Sequence, residues 1–169
     1  MTAIVGLEHS GAVYLGGDRA ISGDDSVVRS AHSKVWRRGG ILLGVAGQLD
    51  QLQRMAYVFR VPPYRAGRDP ARYLGRKLAP ALVAFFSGGK DVEIQALAGV
   101  GGCLFYLDDG FSFSRVGPEW AIGSGGDAAR AALKLLPGQI DPRERVRRSL
   151  EIASEVCLSV APPFDVLSL

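Results

Sequence analysis

Apolar positions along the chain first alternate like strands and only later recur like helices. Thr2 to Leu7 (TAIVGL), the turn-like His9-Ser10-Gly11 and Ala12 to Leu15 (AVYL) predict a hairpin that starts at the first residues. Lys34 to Arg37 and Ile41 to Ala46 (ILLGVA), parted by Arg38-Gly39-Gly40, predict a second. From Gly47 the period changes: Leu49, Leu52, Ala56 and Phe59 recur at helical spacing until Val61-Pro62-Pro63 stops them. Asp69-Pro70 supplies a cap and a first-turn proline for a second helix carrying Leu74, Leu78, Leu82 and Phe85 on one stripe, and Pro80 predicts a kink within it.

After Ser87-Gly88-Gly89 the pattern returns to strands, at Val92 to Leu97, Cys103 to Leu107 and Phe111 to Val116, with Asp109-Gly110 as a hairpin turn. Asp127 to Leu136 then reads as a helix. Asp141-Pro142-Arg143-Glu144 caps another over Val146 to Leu158, and a short apolar tail, Phe164 to Leu169, closes the chain. Strands, two helices, strands, two helices is the order expected when two antiparallel sheets stack and helices cover both outer faces. The expected fold class is therefore α+β, a four-layer αββα sandwich.

Composition narrows the function classes. With 169 residues, 47% of them apolar and 22% charged, the chain has material for one compact domain, residues 1–169. Ten of its 22 glycines fall in five adjacent pairs, which reads as tight turns between short strands. A net charge of +3 with basic and acidic residues interspersed gives no signal for nucleic acid. No apolar run approaches the roughly 20 residues that cross a bilayer, so a soluble protein is expected. Cys103 and Cys157 sit in apolar runs without C-x-x-C spacing or a signal segment ahead of them, which points to a reducing cytoplasm. His9 and His32 have neither metal spacing nor a Ser-His-Asp pattern around them.

The candidate chemistry lies at the N-terminus. Removal of Met1 would leave Thr2 with a free α-amine of pKa about 8, a base able to take the proton of its own hydroxyl. Lys34, partnered by Asp18, would lower that pKa if the second hairpin lies beside the first. Each residue also has a plainer reading: Asp18 as a turn acid, Lys34 as a solvated edge lysine. Gly44-Val45-Ala46-Gly47 leads from strand to helix and offers backbone N–H groups to an oxyanion, or supplies close packing. Gly123-Ser124-Gly125-Gly126 also precedes a helix but lacks the P-loop and dinucleotide endings.

Taken in order, Thr2-Ala-Ile-Val-Gly, Leu15-Gly-Gly-Asp18-Arg-Ala, Ser33-Lys34-Val, Leu43-Gly44-Val-Ala-Gly47 and Ala121-Ile-Gly-Ser124-Gly-Gly resemble the proteasome β-subunit family of N-terminal-nucleophile (Ntn) hydrolases, most closely the bacterial HslV peptidases. The resemblance implies a threonine-type endopeptidase with Thr2 as nucleophile and amine base. It implies Asp18 and Lys34 as the charge pair, Gly44 as the oxyanion amide and Ser124 as the hydrogen-bonding partner of the amine. It places an apolar P1 pocket at Ile21, His32, Trp36 and Leu42, and a monovalent cation such as Na⁺ at the carbonyls of Ser154, Cys157 and Val160. No cofactor for the chemistry is implied. Family members form stacked homo-oligomeric rings, hexameric or heptameric, fed with unfolded polypeptide by an AAA+ ATPase. Two alternatives use the same residues: an Ntn amidase acting on small amides, and a non-catalytic assembly protein that keeps Met1.

Overall fold

The computed structural model describes residues 2–22, 27–29, 32–87 and 91–169. Its strands are β1 (Ile4–His9), β2 (Ala12–Asp18), β3 (Ala20–Ser22), β4 (Val27–Arg29), β5 (Val35–Arg38), β6 (Ile41–Gly47), β7 (Ile94–Val100), β8 (Cys103–Leu107), β9 (Phe113–Arg115), β10 (Glu119–Ile122) and β11 (Phe164–Ser168). Helices are α1 (Leu49–Tyr57), α2 (Pro70–Tyr73), α3 (Ala79–Phe86), α4 (Gly126–Leu135) and α5 (Pro142–Val156), with a π-helical turn, Leu74–Leu78, joining α2 to α3.

All strand pairings are antiparallel, and they form a sheet of order β10-β1-β2-β11, a sheet of order β5-β6-β7-β8-β9 and the ribbon β3-β4. Strand alternation decides which face each residue covers. Ile4, Val13, Leu15, Leu42, Leu97 and Leu104 meet between the two sheets. Ile41, Leu43 and Val45 point the other way, onto Leu52, Leu74, Leu78 and Leu82 of the first helical layer. Val5 and Leu7 face Ala129, Leu133, Val146 and Leu150 of α4 and α5. The expected αββα order is the one observed, and both faces of β1 and β6 are covered, which explains their unbroken apolar runs.

The hairpin between β5 and β6 turns through Gly39 and Gly40 at φ +59° and +79°, a mirror-image turn that needs residues without a Cβ penalty. Where the sequence predicts a kink at Pro80, the helix carries a widened turn that breaks the regular ladder. Pro80 has no N–H, and the preceding turn widens so that Ala79 N–H reaches Leu74 O. The wider turn carries the buried stripe on to Phe86 instead of the expected Phe85. Strand β9 begins at Phe113 and not Phe111, because Asp108 closes the hairpin by accepting from Ser112 N–H at 2.8 Å and Phe111 takes φ +60°. Helix α5 stops at Val156, short of the expected Leu158, and its Asp141 cap accepts from Arg143 and Glu144 N–H as its sequence predicts.

Four strands lack a sequence forecast: β3 and β4 of the ribbon, and the edges β10 and β11. Edge strand β11 is fixed by Asp165, whose carboxylate takes two hydrogen bonds from the Arg19 guanidinium, at 2.7 and 2.6 Å. Burial pushes the Asp165 carboxyl up, but the bonds from Arg19 and the Ser33 hydroxyl outweigh it and hold the group below its ordinary value. A lowered folded pKa contributes stability above the unfolded pKa and loses it as pH falls through the folded one. Asp165→Asn is therefore expected to cost about 1–2 kcal/mol near neutral pH in urea denaturation. The difference from wild type should shrink as pH falls below about 3.9.

Candidate active site

The two sheets bring five chain segments to one end of the sandwich. Thr2 precedes β1, Asp18 ends β2, Lys34 precedes β5, Gly47 ends β6, and Ser124 follows β10. Register does the placing: Ile4 lies opposite Gly17, and Val35 opposite Gly44, so the first residues of one hairpin meet those of the other.

Thr2, Asp18 and Lys34 are 3%, 0% and 6% exposed, which makes their mutual bonding obligatory. The Thr2 hydroxyl donates to Asp18 Oδ1 in a short hydrogen bond. Asp18 Oδ1 also accepts from Ala3 N–H at 3.0 Å, and Oδ2 accepts from Ala20 N–H at 2.8 Å. Lys34 Nζ directs its three donors to Thr2 Oγ1 at 2.5 Å, Ala20 O at 2.5 Å and the Asp18 carboxylate at 3.2 Å. Burial lowers the Lys34 ammonium below its ordinary 10.5, and the Asp18 charge only partly opposes this. The plainer reading of Lys34 as a solvated edge residue therefore fails, while Asp18 both caps the backbone at Ala20 N–H and holds Lys34.

Ser124 Oγ accepts from Thr2 N–H at 3.2 Å and shares a hydrogen bond of 3.1 Å with Ser159 Oγ. Gly125 N–H donates to Thr2 O at 3.0 Å, so the Gly-Ser-Gly-Gly loop grips the Thr2 backbone from both sides. Ser159 is a site residue that sequence reasoning missed. Its only signal was a hydroxyl in the apolar run just past α5.

Gly44 is not placed to hold an oxyanion, which corrects the sequence expectation. Strand parity sends its N–H toward β7, opposite Leu97, inside the ladder. A Cβ at Gly44 would lie 2.5 Å from Ile4 Cγ2, so this glycine serves close packing of the sheets. Gly47, three residues on, has the opposite parity. Val45 N–H reaches Lys34 O at 3.0 Å, so Gly47 N–H points to the same side, past the end of β5, while Gln48 N–H returns to Glu93 O at 3.3 Å. Gly47 lines a cavity of about 390 Å³ together with Thr2 and Ser124. Its φ of +149° and the crowding of its Cβ position by Glu93 O exclude a larger residue.

Ile21, His32 and Trp36 line one small pocket of about 20 Å³, together with Lys34, Leu52 and Tyr57. Tyr57 and His32 are joined there by a hydrogen bond of 2.5 Å to His32 Nδ1. Leu42 is not part of it: one strand step from Trp36's partner Leu43, it is fully buried between the sheets. At the end of α5, Cys157 N–H bonds to Ala153 O, so the Ser154 carbonyl lies past the last acceptor of the helical ladder. Cys157 O accepts from Val160 N–H at 2.9 Å. Backbone carbonyls at the negative end of a helix are the donor chemistry a monovalent cation takes. Among the described residues no cluster of three or more His, Cys, Asp or Glu side chains forms a metal site.

The chain is 30% identical over 182 aligned positions to the ATP-dependent protease subunit HslV of Aquifex aeolicus, covering 98% of this chain and 96% of that protein. This chain belongs to the HslV family. The HslV of Sulfurovum sp. is 26% identical, with 99% and 98% covered. No family model matches the chain. Among solved structures, the fold superposes on Thiobacillus denitrificans BPH in complex with epoxomicin at a TM-score of 0.83 and 14% identity, covering 99% of this chain and 97% of that one. HslV from Trypanosoma brucei gives a TM-score of 0.75 at 20% identity, with 99% and 98% covered. Anbu from Yersinia bercovieri gives 0.71 at 17%, with 98% and 80% covered.

The buried Lys34 gives this HslV-family protein a pH signature. Between its lowered folded pKa and the ordinary 10.5 the unfolded chain binds more protons, so the Lys34 contribution to stability rises with pH through that window. Lys34→Met leaves Asp18 buried without its counter-charge and is expected to cost about 3 kcal/mol. Urea denaturation between neutral pH and the lysine range should show a cost that grows as pH rises through that window.

Proposed function

We propose that the chain is the peptidase subunit of an ATP-dependent protease, with Thr2 as its nucleophile once Met1 has been removed. The observation that carries the reading is the Lys34 ammonium 2.5 Å from Thr2 Oγ1, with both residues almost fully buried and Thr2 lining the cavity. An ammonium at that distance stabilises negative charge on the hydroxyl oxygen, and Asp18 keeps it in place. Loss of Met1 turns the Thr2 peptide nitrogen into an amine, beside Ser124 and Ser159.

In this mechanism the Thr2 amine takes the hydroxyl proton and Oγ1 attacks a peptide carbonyl carbon. The carbonyl oxygen becomes an oxyanion facing Gly47 N–H. Collapse breaks the C–N bond, and the Thr2 ammonium protonates the leaving amine. Water, deprotonated by the same amine, then attacks the Thr2 ester, the C–Oγ1 bond breaks, and the ammonium returns its proton to Oγ1 as the acid product leaves. The family names of the Aquifex and Sulfurovum relatives and the epoxomicin complex of the Thiobacillus neighbour, epoxomicin being a protease inhibitor, support the reading.

Ile21, His32 and Trp36 would line the pocket for an apolar P1 side chain. The carbonyls of Ser154, Cys157 and Val160 would hold a Na⁺ ion whose role is structural, fixing the segment that carries Ser159. Stacked homo-oligomeric rings with an AAA+ ATPase partner, working in the cytoplasm, fit the family. No helix among the described residues is long and apolar enough to cross a membrane.

The test is hydrolysis of a panel of unstructured peptides. Thr2→Ala is expected to reduce cleavage to background and Thr2→Ser to retain part of it. Lys34→Ala should lower kcat by about 10²–10³-fold. Cleavage by Thr2→Ala at the wild-type rate would overturn the assignment.

A further inference from the structure

The cavity beside Thr2 carries a charge that the catalytic reading does not use. Its lining includes Gln48, Glu93, Gln95 and Asp109, and among the described residues that line it two are carboxylates and none is Lys or Arg. The whole chain runs the other way, with 20 basic and 17 acidic residues. An anionic cleft at the nucleophile of a cationic protein is therefore a local feature.

This wall is held in place. Buried Gln51 of α1 clamps the strand leading into β7, accepting from Glu93 N–H at 3.0 Å and donating to Asp91 O at 3.0 Å. Gln48 Nε2 donates to Glu93 Oε2 at 2.6 Å, which holds the carboxylate in the cavity wall. Asp109 stands at the tip of the β8–β9 hairpin, whose closure falls to Asp108, with bonds to Ser112 N–H at 2.8 Å and Ser112 O at 3.0 Å. The Asp109 side chain is left exposed toward the cleft, without a hydrogen bond or ion pair among the described residues.

We infer that this cleft selects peptides carrying a lysine or arginine side chain close to the scissile bond, with Glu93 and Asp109 as the specificity-determining residues. The inference rests on the peptidase reading for its consequence and on the cleft alone for its binding preference. A cationic side chain entering beside Thr2 meets two carboxylates, while an anionic one meets the same pair with opposite sign. Both carboxylates face water, so the discrimination should weaken as salt screens it.

Matched peptides that differ only in having Lys, Ala or Glu beside the cleavage site test this, each rate being divided by that of the Ala peptide. The wild type should favour Lys over Glu in kcat/KM on the order of tenfold at low salt. The ratio should fall toward one at high salt and in the Glu93→Gln/Asp109→Asn variant, where the amide that replaces the Glu93 carboxylate still offers an oxygen to Gln48. Equal rates for Lys and Glu peptides in the wild type, or a ratio untouched by the double substitution, would overturn the inference. The same peptides titrated onto Thr2→Ala protein read the preference as Kd without turnover. Loss of all hydrolysis with a salt-sensitive Lys preference in Kd would sink the peptidase reading and keep the cleft's selectivity, and hydrolysis without any preference would do the reverse.

Discussion

Burying an ion pair against a hydroxyl is the constraint on which this structure turns. Asp18 and Lys34 sit almost fully out of water, and a carboxylate and an ammonium survive there only if every lone pair and proton finds a partner. Asp18 meets that demand with two backbone amides, the Thr2 hydroxyl and Lys34, and Lys34 meets it with Ala20 O, Asp18 and Thr2 Oγ1. Thr2 is thus part of the solution to a desolvation problem. The arrangement costs stability and leaves a polarised hydroxyl oxygen.

The sandwich supplies the geometry that this pair needs. Two hairpins from two different sheets must end at one point, and the core between the sheets fixes their separation. Gly44 takes part in this role: without a side chain, it lets Ile4 approach β6 closely enough for Thr2 and Lys34 to touch. Gly125 and Gly123 act likewise on the other side, where their missing side chains let the Ser124 loop close over Thr2 and Val160.

Local patterns made much of this legible. The alternation in residues 2–15 and 34–46, the Asp69-Pro70 and Asp141-Pro142 caps and the Gly39-Gly40 and Gly101-Gly102 pairs are short-range signals, and the elements they predict are present, whereas the Gly16-Gly17 pair lies inside β2 and not at a turn. Strands β10 and β11 escaped because edge strands of four and five residues are defined by the neighbour they join, here β1 and β2, and not by their own sequence. Thr2, Asp18, Lys34 and Ser124 were found through the order of five motifs, each weak alone. The choice of Gly44 over Gly47 failed because the direction of a strand's N–H depends on register, which sequence does not display. Leu42 failed for a related reason: alternation puts it and Trp36 on different faces of one sheet. Ser159, which meets Ser124 only through the fold, had no more signal than a hydroxyl in an apolar run.

The central claim is that Thr2 is a processed, reactive N-terminal nucleophile. Intact-mass analysis of the protein before and after exposure to a peptide epoxyketone, with the adduct mapped by fragmentation, tests it most directly. The account predicts a chain lacking Met1 that gains one inhibitor, localised to Thr2. A chain that retains Met1, or an adduct located elsewhere, would contradict it.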